Sequence, residues 1–141
     1  VWGGFSSLRN TNLAFISNRM DSLNYQDVLE VHLKPHLNLF QDSKVIFQQD
    51  NASIHVFNSS KTWFQRQNIA LLLWPAESPD LKPIENVWGS LGKQYATVNE
   101  LKDGILTTWE NLDVNYFIHL VNSMKQRVYN LIEAGGKYIG Y

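Results

Sequence analysis

The sequence contains no cysteine among its 141 residues. A disulfide scaffold and a zinc site built from thiolates are therefore excluded. Long apolar runs are missing too, because the longest, Ile69 to Trp74, is far shorter than the roughly 20 residues of a membrane-spanning helix. No membrane partner is expected. Neither sign of charge predominates, since 12 basic residues oppose 13 acidic ones, and this balance neither favours nor excludes nucleic acid.

Apolar residues are plentiful, and they predict a folded chain. Hydrophobic residues make up 44% of the sequence and aromatic residues 13%, which is enough for a packed core and argues against disorder. The length suits one domain, and no linker rich in proline, glycine or serine divides the chain. We therefore predict a single domain over residues 1–141.

The first residues indicate a hairpin. Two apolar segments, Val1–Phe5 and Leu13–Ile16, flank the polar segment Arg9–Asn12, which we predict to be the turn. The chain opens inside the first apolar segment with no initiator methionine. We therefore expect these residues to be a piece of a longer protein.

A helix followed by two strands is predicted next. Apolar residues recur near the helical period at Tyr25, Leu29, Leu33 and Phe40. Ser22 or Asn24 would cap this helix, and Pro35 should kink or end it.

Strands are predicted over Lys44–Gln49 and over the wholly apolar Ile69–Leu73, which is typical of a strand buried on both faces. A helix capped by Ser59 or Ser60 should join them as parallel neighbours by a right-handed crossover.

Three helices are predicted in the second half. Pro83 suits a first helical turn, Thr97 with Glu100 fits a capping box, and Asp113 can cap the last helix, which Gly135 and its glycine neighbour would stop. The inward positions of the last helix should be Phe117, Leu120, Met124, Val128 and Leu131. The order of elements predicts a layered α/β or α+β domain.

Two carboxylates occupy positions that suit catalysis. Asp50 follows the first predicted strand, at the edge where open α/β sheets bind ligands. Glu85 lies in the first turn of a helix after the next strand, so the two side chains can converge. Carboxylates are the ligands that Mg²⁺ prefers, and two such ions can drive a phosphodiester displacement. Each residue could equally be an ordinary cap or helix-dipole partner.

The sequence motifs around these two carboxylates indicate a function more specifically than the positions of the carboxylates do. The segment 45–55, VIFQQDNASIH, and the segment 74–88, WPAESPDLKPIENVW, resemble the second and third acidic motifs of Tc/mariner superfamily DDE transposases. Positions 51 to 84, which are 34 residues, lie between Asp50 and Glu85, as in that family. A glutamate at the third place is typical of the Tc branch. The opening VWGGFS resembles a segment between that family's first and second acidic positions.

This resemblance implies a ribonuclease-H-like α/β fold, a mixed sheet with flanking helices. It implies a cut-and-paste DNA transposase in which Asp50 and Glu85 are catalytic and bind metal, in a two-ion site for Mg²⁺ or Mn²⁺. The implied partners are double-stranded DNA, as transposon ends and target, and a second copy in a homodimer of the full-length protein. The implied location is the nucleus.

The resemblance also places a first catalytic aspartate on a central strand before Val1. Asp21 and Asp27 follow the hairpin and cannot replace it. We therefore expect a partial catalytic domain, incomplete at its amino terminus, that does not cut DNA by itself, and whether the chain is an enzyme stays open. The alternative is an inactive relic or a domesticated fragment that binds DNA or protein without chemistry.

Other candidates have a structural interpretation beside the functional one. Asn51 and Asn86 are expected to be structural or to orient substrate. Asp80 and Glu77 could be mistaken for ligands, but an aspartate between two prolines more often bonds loop backbone. His55 could contact DNA or orient the site, although capping or packing is the commoner role.

Trp63, Trp88 and Trp109 are expected in the core. Four cations could contact phosphates or simply lie on solvated helix faces. They are Lys93, Lys125, Arg127 and Lys137.

Overall fold

The computed structural model describes residues 1–16, 19–40, 44–72, 78–91 and 95–140. The chain divides into two compact units. One combines Val1–Gly4 with Thr11–Glu77, and the other combines Phe5–Asn10 with Ser78–Tyr141. The single domain over residues 1–141 stays a prediction. Within the described ranges no helix is long and apolar enough to cross a membrane.

The first helical segment of the first unit is continuous through Pro35. It consists of α1 (Ser22–Val28), a π-helical turn (Leu29–Leu33), α2 (Lys34–Leu37) and a 3₁₀ turn (Asn38–Phe40). Pro35 was predicted to kink or end the helix; it does not end it, because α2 continues through Leu37, and the kink stays a prediction. The wider π-helical turn lies directly before α2.

The cap of α1 is Asp21, and the prediction of Ser22 or Asn24 is wrong. The Asp21 Oδ1 atom accepts hydrogen bonds from the backbone N–H of Leu23 at 2.9 Å and of Asn24 at 2.8 Å. The Asn24 side chain accepts in return from the Asp21 N–H, which completes a capping box. Asp21, one residue before Ser22, therefore takes the capping role predicted for Ser22 or Asn24.

The two predicted strands are confirmed as parallel neighbours. β1 (Ile46–Phe47) pairs with β2 (Ala70–Leu71) in the register Ile46 to Ala70 and Phe47 to Leu71. Both strands are shorter than predicted. The helices α3 (Ser53–Val56) and α4 (Asn58–Arg66) connect them. The right-handed sense of this crossover stays a prediction.

The expected burial of β2 on both faces is wrong for its described residues. Ala70 and Leu72 are exposed, whereas Leu71 is half-buried and faces the helices. The reason is that helices pack on one side of this pair of strands. Leu73, at the end of the predicted strand, lies outside the described residues.

The predicted serine caps of α4 are also wrong. Phe57 is the capping residue, and Ser59 and Ser60 lie within the first turn. The Ser60 hydroxyl is fully buried and donates to the Ile54 carbonyl oxygen at 2.6 Å, which ties α4 to α3. Ser60, a residue type suited to capping, therefore uses its buried hydroxyl to bond two helices together.

The core of the first unit joins its helices to its strands. Its buried members are Tyr25, Leu29, Leu33 and Phe64. Phe47 and Leu71, one from each strand, pack against this cluster. Burial of each large apolar side chain contributes about 1.5–3 kcal/mol. This cluster therefore fixes the end of β1, three residues before Asp50.

The hairpin is confirmed, but its turn lies earlier than predicted. Antiparallel bridges join Trp2 to Ala14 and Phe5 to Asn10. The Ser6 N–H donates to the Arg9 carbonyl oxygen at 2.9 Å, so the turn is residues 6–9 and not Arg9–Asn12. Because Asn10 pairs with Phe5, the polar segment contributes to the second arm.

The second unit contains the three predicted helices and a 3₁₀ turn (Pro79–Leu81). They are α5 (Pro83–Ser90), α6 (Val98–Glu110) and α7 (Val114–Glu133).

The predicted helix ends are largely confirmed. Pro83 opens α5, Thr97 accepts from the Glu100 N–H at 3.2 Å, and Asp113 accepts from the Asn115 N–H at 2.8 Å. Glu100 bonds the Ala96 N–H and not that of Thr97, so the capping box is displaced by one residue. After α7, Gly135 and Gly136 adopt φ values of 62° and 81°, a conformation that glycine takes without strain.

Trp109 and Phe117 are buried in the core of the second unit, and each is 1% exposed. Trp88 is half-buried and stacks on Trp109 with ring centroids 5.3 Å apart. The core prediction is therefore confirmed fully for Trp109, while Trp63 in the first unit is half-buried. Val128 is 43% exposed, so its predicted inward position is wrong.

Gly104 provides a test of packing on α6. A Cβ atom built at Gly104 would overlap the Tyr95 ring, whereas one at Gly89 in α5 would meet nothing within 4 Å. Gly89→Ala should therefore stabilise the protein by about 0.5–1 kcal/mol through helix propensity. Gly104→Ala should destabilise it by about 1 kcal/mol, because the Tyr95 ring must leave its packing position.

Urea unfolding of a double-mutant cycle measures this effect. In a Tyr95→Ala background the overlap is gone, so Gly104→Ala should become neutral or stabilising. Equal effects of Gly104→Ala in both backgrounds would show that Tyr95 does not cause the loss of stability.

Candidate active-site carboxylates

Asp50 lies three residues after β1, and two hydrogen-bond donors contact one oxygen of its carboxylate. Its Oδ1 atom accepts a hydrogen bond from the Ala52 N–H at 3.0 Å and lies 2.5 Å from His55 Nδ1. The Asp50 side chain is 41% exposed, while that of His55 is 16% exposed. Asp50 therefore follows the end of a strand, as predicted, and its side chain is partly open to solvent.

His55 belongs to a chain of contacts that leads from Asp50 into the core. Its ring lies 4.4 Å from the ring of Tyr25, centroid to centroid. The Tyr25 hydroxyl donates to Gln49 Oε1 at 2.6 Å, and Gln49 Nε2 lies 3.4 Å from the His55 carbonyl oxygen. His55 thus packs, as expected of its commoner role, and also bonds the candidate catalytic side chain.

We expect Tyr25 to make the free energy of unfolding fall as the pH becomes alkaline. Burial raises the pKa of its phenol far above the ordinary value, the charge of Asp50 raises it further, and a hydrogen bond involving Trp2 opposes both. Because the folded pKa exceeds the unfolded value of about 10, this contribution is complete below pH ~10 and is lost as pH rises beyond it.

Urea unfolding between pH 8 and 11 measures the dependence on Tyr25. Above pH ~10 the free energy of unfolding should fall with a Tyr25 contribution of up to about 1.4 kcal/mol per pH unit. Tyr25→Phe should remove that contribution and flatten the curve. An unchanged slope in the variant would contradict the role given to this phenol.

Glu85 lies in the first turn of α5, as predicted. Its Oε1 atom is 3.0 Å from the ammonium nitrogen of Lys82, and its side chain is 44% exposed while that of Lys82 is 17% exposed. A carboxylate in a first turn also interacts favourably with the helix dipole. The side chain is therefore ionic, oriented and open to solvent.

The turn that carries Glu85 is attached to α7 through Arg127. The guanidinium donates from Nη1 to the Asp80 carbonyl oxygen at 2.7 Å, from Nη2 to Asn86 Oδ1 at 2.9 Å and from Nε to Ser123 Oγ at 2.9 Å. Arg127 is only 1% exposed. These contacts fix the residues on both sides of Glu85, and they support the structural role expected of Asn86.

Arg127 was expected either to contact phosphates or to lie on a solvated face, and its burial corrects both interpretations. The spacing of residues in the sequence already indicated that Arg127 points inward. Arg127 continues the inward spacing of Leu120 and Met124 and precedes Leu131 by four residues. Lys125 and Lys137 are exposed, as a solvated face requires, and Lys93 lies outside the described residues.

Asp80 has the structural role predicted for it. Its side chain is buried, and its Oδ2 atom accepts from the Ile139 N–H at 3.1 Å. The backbone that it bonds is remote in sequence and is not its own loop. Glu77, the other alternative ligand, lies outside the described residues. Asp80 therefore supports the Glu85 loop and is not itself a candidate ligand.

The two candidate carboxylates belong to different units, Asp50 to the first and Glu85 to the second. Their convergence on a shared metal site stays a prediction. Among the described residues, no group of three or more His, Cys, Asp or Glu side chains could by itself hold a metal ion.

Residues 2–105 match the model of a family described as DDE superfamily endonuclease. The chain belongs to that family. Both Asp50 and Glu85 lie within the matched residues. The Tc3 transposase of Caenorhabditis elegans is 43% identical over 148 residues, which cover 100% of this chain and 45% of that protein. This DDE chain therefore spans less than half of that relative's length.

Solved structures share the fold of this DDE chain. The catalytic domain of Mos1 mariner transposase superposes with a TM-score of 0.76 at 18% identity, covering 98% of this chain and 80% of that one. A Mos1 mariner paired-end complex with Mn gives a TM-score of 0.74 at 21% identity, covering 87% and 39%. The α/β class is confirmed, and the fold is that of the ribonuclease-H-like Mos1 catalytic domain.

Proposed function

We propose that this chain is the part of a cut-and-paste DNA transposase that supplies the catalytic carboxylates Asp50 and Glu85. The observation that carries the proposal is their placement in a DDE family member. Asp50 follows the first strand of a parallel pair and is oriented by two donors, and Glu85 occupies the first turn of α5. The resemblance assigns one further carboxylate to a strand outside these residues.

The relatives support DNA as the substrate. The 43% identical Tc3 protein is a transposable element transposase, and the paired-end structure is of a Mos1 mariner complex. By analogy, we propose double-stranded DNA, as element ends and as target, for the protein that carries this chain. A protein acting on chromosomal DNA would work in the nucleus, and pairing of two ends suits a homodimer.

The side chains suit a hard divalent cation. Asp50 and Glu85 offer carboxylate oxygens and are 41% and 44% exposed, so either can receive an ion without prior unfolding. Oxygen ligands of this kind fit Mg²⁺ and Mn²⁺, whereas no cysteine is present for softer metals. When bound in a pair, such ions stabilise the charge on the attacking and leaving oxygens of a phosphodiester.

The reaction proposed has two displacements at phosphorus. In the first, the oxygen of water bonds to phosphorus and the bond to the 3′ oxygen breaks, so a 3′ hydroxyl leaves. In the second, that 3′ oxygen attacks a phosphodiester of target DNA and releases another 3′ hydroxyl. The protein's own residues contribute orientation and fixed charge, which supply most of the catalysis in such reactions.

Lys82 and Arg127 restrict the position of Glu85 in this scheme. Lys82 pairs with the carboxylate directly, and Arg127 holds Asp80 and Asn86 on either side of it. Ala52 and His55 perform the equivalent task for Asp50. Each carboxylate is thus held by residues of its own unit.

Strand cleavage and transfer with the full-length protein test the proposal. Purified protein, Mg²⁺ or Mn²⁺, and a duplex bearing the element's ends should give nicks at those ends and joining to target DNA. A well-folded protein that binds the ends without cutting them would favour the relic or domesticated interpretation. Loss of both binding and cleavage would reject DNA as the partner.

A further inference from the structure

We propose that His55 is a positioning residue for Asp50, holding its carboxylate in the orientation that divalent-metal binding requires. The inference rests on the proposed role of Asp50 as a metal ligand. His55 itself would not contact the ion or the DNA. Its Nδ1–H would act only through the Asp50 Oδ1 atom, 2.5 Å away.

Two donors at one oxygen fix the carboxylate. Oδ1 accepts from Ala52 N–H and from His55 Nδ1, so the group cannot rotate about its Cβ–Cγ bond without losing both hydrogen bonds. A carboxylate acceptor requires the proton on Nδ1 of the imidazole, which fixes the tautomer. A ligand held in this way loses less freedom when it coordinates an ion, and hydrogen-bonded carboxylates are a general feature of metal sites.

His55 is itself fixed, so it can impose an orientation. Its ring lies against the fully buried Tyr25, and its side chain is 16% exposed. Gln49, the residue before Asp50, bonds the Tyr25 hydroxyl through Oε1 and the His55 carbonyl oxygen through Nε2. These contacts link four side chains to one another: Asp50, His55, Gln49 and Tyr25. Tyr25 belongs to the hydrophobic core of the first unit, so the core supports the whole set.

Packing alone would require only the ring, and the Nδ1 bond requires a donor at one ring position. Substitutions at His55 separate the two requirements. His55→Phe keeps an aromatic ring against Tyr25 and removes the donor. His55→Asn places an amide donor near the Nδ1 position, and His55→Gln places it near Nε2 instead.

His32 provides a matched control in the same unit. Its Nδ1 lies 3.1 Å from the Asn12 carbonyl oxygen, and its ring lies 6.1 Å from that of Trp2. His32→Phe therefore removes a similar hydrogen bond from a histidine packed on an aromatic ring. His32 bonds the Asn12 carbonyl oxygen and is given no part in holding Asp50, so metal binding should not change.

The experiment measures Mn²⁺ binding to the full-length protein by electron paramagnetic resonance, without DNA or turnover. His55→Phe should raise the Mn²⁺ dissociation constant about 10- to 100-fold, the usual effect of losing a partner of a metal ligand. His55→Asn and His32→Phe should stay within about threefold of the unsubstituted protein. In proton NMR spectra, His55→Phe should remove one strongly downfield imidazole N–H signal, as a short charge-assisted hydrogen bond gives.

Asp50→Asn separates failure of this inference from failure of the proposed function. If Asp50→Asn leaves Mn²⁺ binding unchanged, Asp50 is not a ligand and the proposed function loses its support. If Asp50→Asn abolishes binding while His55→Phe does not weaken it, only the positioning role is wrong. Should His55→Phe fail to fold, equal losses in His55→Asn and His55→Gln would overturn the inference, and loss in His55→Gln alone would support it.

Discussion

Asp50→Asn and Glu85→Gln should each reduce DNA cleavage and strand transfer by about 10³-fold or more in the full-length protein. Each substitution keeps the size and shape of the side chain and removes the negative charge. An amide is a poor ligand for a hard cation, so charge stabilisation at the reacting phosphorus is lost. Folding should be little affected, since both side chains are partly exposed. Gel assays of nicking and joining measure the loss.

Two matched variants control for the removal of charge. Asp21→Asn neutralises the cap of α1, and asparagine caps a helix as well as aspartate does. Glu100→Gln neutralises another first-turn glutamate, in α6, and keeps an acceptor for the Ala96 N–H. Both should retain cleavage within about threefold, because neither charge is proposed to contact metal.

The outcomes of this series differ in meaning. Full activity of Asp50→Asn or Glu85→Gln would reject that residue as a catalytic carboxylate. Loss in one variant only would keep the chemistry and remove the other residue from the site. A similar loss in Asp21→Asn or Glu100→Gln would indicate a general requirement for negative charge and not a metal site.

Arg127→Met should lower the free energy of unfolding by about 3 kcal/mol, the second large effect that we expect. Methionine can fill much of the space, but it leaves the Asp80 carbonyl, Asn86 Oδ1 and Ser123 Oγ without this donor. Each buried polar group left unpaired costs about 1–3 kcal/mol, and relief from burying the cation offsets part of the sum. The melting temperature should fall by roughly 10 °C for a chain of this size.

Lys125→Met is the matched control on α7. It replaces an exposed cation two residues away with the same side chain, so stability should change by less than about 0.5 kcal/mol. Thermal and urea unfolding of both variants test the difference. Equal effects would mean that Arg127 does not hold the loop. Arg127→Lys should also be strongly destabilising, since one ammonium cannot serve acceptors that a planar guanidinium spans.

The sequence by itself determined those features that depend on short stretches of chain. The Pro83 start, the Thr97 and Asp113 caps and the glycine stop after α7 all follow from the needs of helix ends. The parallel pairing of β1 with β2 followed from two apolar runs separated by a helix. The positions of Asp50 and Glu85, at a strand end and in a first turn, were likewise local properties.

Only the tertiary structure decided which polar side chains are buried and what they bond. Ser60 and Arg127 have the sequence signatures of a cap and of a surface cation, yet both are buried. Ser60 bonds a carbonyl in the neighbouring helix α3, and Arg127 bonds partners remote in the chain. His55 bonds Asp50 because the core places Tyr25 beneath its ring. A buried polar group is stable only when its hydrogen bonds are satisfied, and those partners come from packing, which local sequence patterns do not specify.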